Sequence, residues 1–499
     1  MLMRRSRTRR LRAFVPLLAA LAVVGPLAWM WASSFVPSTY SATEMGYVDD
    51  GGAPLPGSTS AGGHDHHAAG GVPVASLTGD VDGQPDVTVT LVARQEHFRL
   101  ASGEEADGYT LNGSSPGPTL RVPQGGLLEV RLVNESIADG TTLHWHGVTV
   151  PNADDGVAGV TQDAVPVGGT HVYRFRPPHA GTYWYHAHQL SHEQVERGLL
   201  GALVVDPPGA AVDSLADTAT DVVALTHLYA GRRTVAGRTG DVAVPAAPGT
   251  PVRLRVINTD NGPLRTWVDG APFRVLAVDG ADVHEPAPVA GISVDGTAGA
   301  RVDLEVVAPA RVTIGGSSAL VVGPPGAPAP PASRQPEAVL DLLHYGTPAP
   351  LGFDPATAAR TFEYAIGRRP GFLDGRPGLW WTVNGHLFPD MPMFTVAEGD
   401  VVRMHITNSS GEVHPMHLHG HRMVVLARNG IPATSSPWWV DSLGVGDGES
   451  YDVAFVADNP GIWSDHCHNL VHAKDGLVVH LMYAGVTPSY RIGGINVPE

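Results

Sequence analysis

The chain has 499 residues, 43% of them hydrophobic and 16% charged, enough for two to four domains that each bury a core and too many for one. Its 60 Gly and 43 Pro exceed ordinary usage and favour turns and short strands over long helices. A formal net charge of −17 repels phosphate backbones and anionic lipid, which argues against nucleic acid as a partner and suits cations.

The chain opens with Arg4, Arg5, Arg7, Arg9, Arg10 and Arg12, followed by an apolar stretch from Ala13 to about Ser33. Basic then apolar residues at an N-terminus predict export. No clean small-x-small cleavage site follows, since Trp29, Met30 and Trp31 crowd the end of the stretch. Residues 1–36 are therefore either a removed signal or a retained anchor that crosses the membrane through residues 13–33, basic side in the cytoplasm. Both place the body outside the cytoplasm, secreted or held at the cell membrane. Residues 37–72 are rich in Gly, Ser, Asp and His and predict a flexible linker. The run His64, Asp65, His66, His67 within it is either a polar tail or a loose scavenger of divalent ions.

Residues 73–208, 209–336 and 337–485 share one texture: short alternating runs bounded by turn residues, with a Pro-rich stretch from Pro324 to Pro336 before the third block. This predicts an all-β protein of three β-sandwich domains in series, with 486–499 as a C-terminal tail. The first and third blocks echo each other. Asn112-Gly113, then Pro116 and Gly125, lead to a strand ending at Asn134; Asn384-Gly385, then Pro389 and Gly399, lead to one ending at Asn408. The middle block has a matching strand, Val252 to Asn258, but no histidine motif after it. One fold repeated, with a site kept only by the outer copies, accounts for this.

Four short segments carry the chemistry: His144-Trp145-His146, His186-Ala187-His188, His414-Pro415-Met416-His417-Leu418-His419, and His466-Cys467-His468 with His472 just beyond. In a strand, residues two apart share a face, so each His-x-His pair offers two imidazoles to one place. Four pairs offer eight, which suits three coppers in one cluster and exceeds what zinc requires. Cys467 points away from His466 and His468 and, with His414 and His472, can form a separate trigonal blue-copper site that accepts single electrons. Cys467 is the chain's sole cysteine, so it has no intramolecular disulfide partner, and a metal is a fitting occupant.

With these four motifs in order, the sequence over roughly residues 73–485 resembles the multicopper oxidase family, the laccases and metal-ion oxidases built from cupredoxin domains, and in particular its bacterial three-domain laccase type. The resemblance implies three cupredoxin-like Greek-key sandwiches and four copper ions. His414, Cys467 and His472 would bind the type 1 copper, where a small aromatic donor or a reduced metal ion is oxidised. His144 and His417 would bind type 2, and His146, His186, His188, His419, His466 and His468 the type 3 pair, where dioxygen becomes water. The family's axial type 1 position falls on Leu477, which cannot coordinate, and Met482 is out of register. Asp155 matches an acid that supplies protons in relatives, the alternative being that Asp154 and Asp155 simply shape a turn; a second acid common in relatives after the last histidine is here Ala473. Trp438, Trp439 and Asp441 are expected either to line the donor approach or to serve as packing and loop residues. No methionine-rich insertion is present, which favours phenols or aromatic amines over a dedicated cuprous substrate.

Overall fold

The computed structural model describes residues 20–52, 71–208 and 220–499. The arginine run and His64 to His67 lie outside the described residues. Among those described the body is almost entirely β-structure, and its larger sheets fall into three sequence blocks.

In the first block, Val87–Arg99 runs parallel to Leu128–Asn134, which pairs antiparallel with Thr170–Phe175. A second sheet orders Leu120–Pro123, Leu200–Asp206, Gly181–His186 and His144–His146. The alternation along Leu128–Asn134 turns Leu128, Val130 and Leu132 inward, where they meet Leu203 and Val205 of the second sheet in one core. The middle block repeats the parallel pairing, Asp221–Tyr229 with Pro251–Asn258, and the third block repeats it again, Arg360–Leu373 with Val401–Asn408.

Each repeat of this strand ends on a buried asparagine used in the same way. The side-chain amide of Asn134 donates to Ile137 O and Val165 O, that of Asn258 to Gly262 O and Thr297 O, and that of Asn408 to Glu412 O and Val445 O. Asn112 and Asn384, both at positive φ, each accept from one backbone N–H of the neighbouring strand and donate to a carbonyl two residues earlier. The echo between blocks therefore extends to individual hydrogen bonds, and the middle block shares the strand-ending asparagine.

Two segments depart from expectation, 37–52 and 338–345. Residues 37–52 are not a free linker: Thr39–Tyr40 pairs with Ile492–Gly493 of the tail, and Tyr47–Asp49 adds a parallel strand beside Pro392–Val396. Buried Ala42 and Met45 anchor this arm, a gain that its Gly and Ser content concealed. Residues 338–345 still belong to the middle block, since Ser293 exchanges backbone bonds with Ala338 and Leu340, and Tyr345 packs in the middle core. Residues 20–33 form a helix that leaves Leu21, Val23, Val24, Leu27, Trp29 and Trp31 exposed. No helix among the described residues is long and apolar enough to cross a membrane.

Candidate metal centre

Two buried sites lie on opposite faces of one pair of strands. His414–Leu418 runs antiparallel to Ile462–Cys467, with Met416 opposite Cys467 and His417 opposite His466. Because side chains alternate along a strand, His414 and Cys467 emerge on one side, His417 and His466 on the other.

On the first side, Cys467 Sγ is 3.6 Å from His414 Nδ1 and 3.7 Å from His472 Nδ1, and the two nitrogens are 3.2 Å apart. Donor atoms that each stand about 2.0–2.3 Å from a shared metal ion are spaced in this way. His472 is brought in by the short helix Leu470–Lys474, directly after the strand. His414 Nε2 is 2.8 Å from Ser410 Oγ, which leaves Nδ1 for the centre. Burial pushes the Cys467 thiol well up and the His414 imidazolium down to about 3. The imidazole is thus neutral and ready to coordinate, whereas the thiol keeps its proton until a cation displaces it. Leu477 is fully buried and its carbonyl accepts from Cys467 N at 3.1 Å. Met482 sits opposite Ile462, in a separate apolar cluster with Ala42 and Val74.

On the other side the eight remaining imidazoles converge, all buried. His188, His419 and His466 form one triplet, with ring centroids 5.1–5.2 Å apart. His146, His186 and His468 form another at 4.7–5.7 Å, and His144 with His417 makes a pair at 5.7 Å. Hydrogen bonds fix which nitrogen faces the centre. Nδ1 donates to Asp155 O in His144, to Ala187 O in His186, to Asp441 O in His417 and to Asp155 Oδ2 in His419, at 2.9–3.0 Å. Their Nε2 lone pairs are left inward. His144 Nε2 then confronts His417 Nε2 at 3.4 Å, and His419 Nε2 confronts His466 Nε2 at 3.1 Å. His186 Nε2 and both ring nitrogens of His188 and His468 are buried with no hydrogen-bond partner among the described residues.

Each such orphan costs about 1–3 kcal/mol, and opposed lone pairs in a dry interior repel unless a cation lies between them. Burial, reinforced by the neighbouring imidazoles, pushes the imidazolium groups of His146, His186, His188, His417, His419 and His468 well down and that of His466 to about 3, so protons on these rings do not fill that role. The donor set fits a group of metal ions and little else.

Asp155 follows the short 3-10 turn Asn152–Asp154. Its Oδ2 accepts from His419 and its backbone carbonyl from His144, so one residue supports a member of the pair and a member of a triplet, while Oδ1 lies 3.2 Å from His144 Nδ1 without a hydrogen bond of its own. Gly156 makes this possible: at φ +79° it passes so close to Leu143 O that a Cβ would lie 1.8 Å away. The tail adds a second acid. Glu499 accepts from Ser191 Oγ at 2.7 Å and stands 3.6 Å from His466 Nδ1, and burial pushes its carboxyl up to about 7.

Asp441 does not line a donor approach. It is fully buried at the cluster, 3.2 Å from His146 Nε2 and 3.5 Å from His417 Nδ1, because the short strands Trp438–Val440 and Ser442–Val445 thread it inward. The residue beside the sulfur site is instead Trp381, whose ring is 4.4 Å from His472 and 4.7 Å from His414. Glu412 Oε2 lies 3.4 Å from His472 Nε2, its other oxygen held by Arg368 at 2.9 Å. Neither Trp381 nor Glu412 belongs to a motif that spacing could reveal.

Known proteins share this arrangement's sequence framework. Residues 92–210 and 360–485 each match a family model described as multicopper oxidase, and they hold all four histidine segments. Laccase-1 of Botryotinia fuckeliana is 27% identical, covering 80% of this chain and 82% of its own. The multicopper oxidase MmcO of Mycobacterium tuberculosis is 28% identical, covering 80% and 87%. The crystal structure of a multi-copper oxidase from Pseudomonas thermotolerans superposes with a TM-score of 0.64 at 28% identity, over 80% of this chain and all of the other. The β-architecture is thus cupredoxin-like and multi-domain, its clustered His, Cys and Asp groups can coordinate metal ions, and by these matches together the chain belongs to the multicopper oxidase family.

Proposed function

We propose that this is a laccase-like enzyme that couples four one-electron oxidations of a phenolic or aromatic amine donor to the reduction of dioxygen, with four protons, to two waters. The observation that carries the reading is the segment His466-Cys467-His468, which joins the sulfur site to the histidine cluster through consecutive residues of one strand end. Four copper ions, when bound, supply one-electron acceptance at the first site and joint electron delivery to dioxygen at the second.

The residues divide the work as follows. His414, Cys467 and His472 hold the type 1 ion, and the His472 edge, 8% exposed, faces the donor. The pair His144 and His417 suits the type 2 ion, and the two triplets suit the type 3 ions. Asp155, bonded to both kinds of ligand, is placed to hold and pass on a proton. Three cupredoxin-like Greek-key domains carry these groups, 73–208, 209–336 extended by the residues 338–345 that pack on it, and the remainder to 485, and the likeness to laccase-type relatives supports a place outside the cytoplasm.

A second reading, oxidation of cuprous or manganous ions in metal detoxification, is favoured by Glu412. A carboxylate 3.4 Å from the His472 edge can hold a cationic donor as well as accept a phenol's proton. Dioxygen uptake by copper-loaded protein, followed with a simple phenol and with Cu(I) under the same conditions, separates the two. Faster turnover of the phenol supports the laccase reading, and much faster turnover of Cu(I) replaces it.

A further inference from the structure

The middle block has no copper motif, yet one of its side chains ends at the cluster. We infer that Arg301 is a positioning residue for the histidine cluster: acting through Asp441, it fixes which nitrogens His146 and His417 turn toward the metal ions. The inference rests on the multicopper oxidase reading of the cluster and not on the identity of the donor.

Arg301 begins the strand Arg301–Val307 and is completely buried. Its guanidinium ties the three blocks together. Nε donates to Thr182 O of the first block at 3.0 Å, and Nη1 to Gly299 O of its own block at 3.3 Å. Both ends of the fork reach Asp441 of the third block, Nη1 to Oδ1 at 2.6 Å and Nη2 to Oδ2 at 2.5 Å. Asp279 backs the pair: Oδ1 accepts from Arg301 N at 2.9 Å, and Oδ2 lies 3.3 Å from both Asp441 N and Ser442 N.

Asp441 is thereby held with Oδ1 3.2 Å from His146 Nε2, where Ser442 Oγ also lies at 3.1 Å. With Nε2 facing these two oxygens, the lone pair falls on Nδ1, the nitrogen that is buried and without a hydrogen-bond partner. The backbone carbonyl of the same Asp441 takes the N–H of His417 Nδ1 at 2.9 Å, which leaves Nε2 inward. One residue thus imposes opposite tautomers on two ligands from different blocks. Gly147 supplies an independent sign that the approach is built in. At φ +81°, a Cβ there would sit 2.2 Å from Arg301 Nη2 and 2.7 Å from Asp441 Oδ2, so the fork passes directly over the backbone next to His146.

A buried ion pair is a poor source of stability, because its desolvation offsets most of its attraction, and a fixed geometry is the better reason to keep one. The planar fork also cannot be reproduced by lysine, which carries the charge as a point.

The test compares Arg301→Met and Arg301→Lys with the parent, all loaded with copper in the same way. It reads copper per chain, the paramagnetic resonance of the cluster, the blue absorption of the Cys467 site as internal control, and KM for dioxygen. Positioning predicts that both variants shift the cluster resonance or lose cluster copper and raise KM for dioxygen at least tenfold, while the blue absorption stays. Full copper with an unchanged resonance and KM in Arg301→Met overturns the inference, as does complete restoration by Arg301→Lys, which would mean that charge alone matters. Should Arg301→Met not fold, Asp441→Asn, which keeps the shape and loses the charge facing His146, is read by the same criteria. Copper content and resonance do not involve the donor, so they stand apart from a failure of the phenol-oxidase reading.

Discussion

Asp155 and His419, 264 residues apart in the chain, share a buried hydrogen bond of 2.9 Å. The bond joins a loop of the first block to a candidate ligand of the third. Asp155→Asn keeps an oxygen that can accept it but removes the group able to carry a proton. Turnover should fall about 100-fold, with anaerobic bleaching of the blue absorption by donor unchanged and its return with dioxygen slowed. Equal slowing of both phases would show that Asp155 only holds the fold.

Leu477, whose carbonyl accepts from Cys467 N, falls by resemblance at the family's axial position for the proposed type 1 site, and Met482 sits farther along, opposite Ile462 in a separate apolar cluster. Leu477→Met should lower the potential of that site and slow the oxidation of poor donors. Redox titration of both forms decides it, and an unchanged potential would place the axial position elsewhere.

Copper should act as a cross-link, since its candidate ligands come from both outer blocks. A site saturated a thousandfold contributes about 4 kcal/mol to stability. Removal by a chelator should therefore lower the melting temperature, and calorimetry before and after restoring copper should show the loss reversed. An identical melting curve without copper would contradict such tight sites.

Asp154 is buried, and desolvation pushes its carboxyl up to about 7, partly opposed by the N–H and charge of Arg174. Between about pH 4 and pH 7 the folded chain then binds more protons than the unfolded one, so stability falls as pH rises through this window. Asp154→Asn should remove that contribution, at most about 1.4 kcal/mol per pH unit. Denaturant unfolding of copper-free protein at several pH values measures it, and parallel pH profiles for the two forms would refute the assignment.

The groups that converge at the two sites were legible because strand alternation is local. His-x-His puts two rings on one face wherever the strand lies, and Cys467 between two histidines must take the other. The repeat was legible for a similar reason, as Asn112 and Asn384 each sit at a turn that asparagine tolerates. Asp441 and Arg301 were not legible. Each is a single residue of ordinary type, and their pairing across 140 positions is fixed only once three blocks pack. Periodicity tells which face a side chain takes and not which distant side chain meets it. Sequence therefore groups Asp441 with its neighbours Trp438 and Trp439, and only the packed fold brings it to the cluster. The arm at 37–52 was missed because its few apolar residues, Tyr40, Ala42 and Met45, find their partners in the tail and the third block.

The contact between His144 and His417 spans 273 residues, and this has a consequence for biosynthesis. A chain made from its N-terminus completes the first block, with four imidazoles aimed at empty space, long before the ribosome reaches their partners. The pair His144 and His417 and both triplets draw ligands from the first and the last block, so the full cluster assembles only once the last block has emerged and docked.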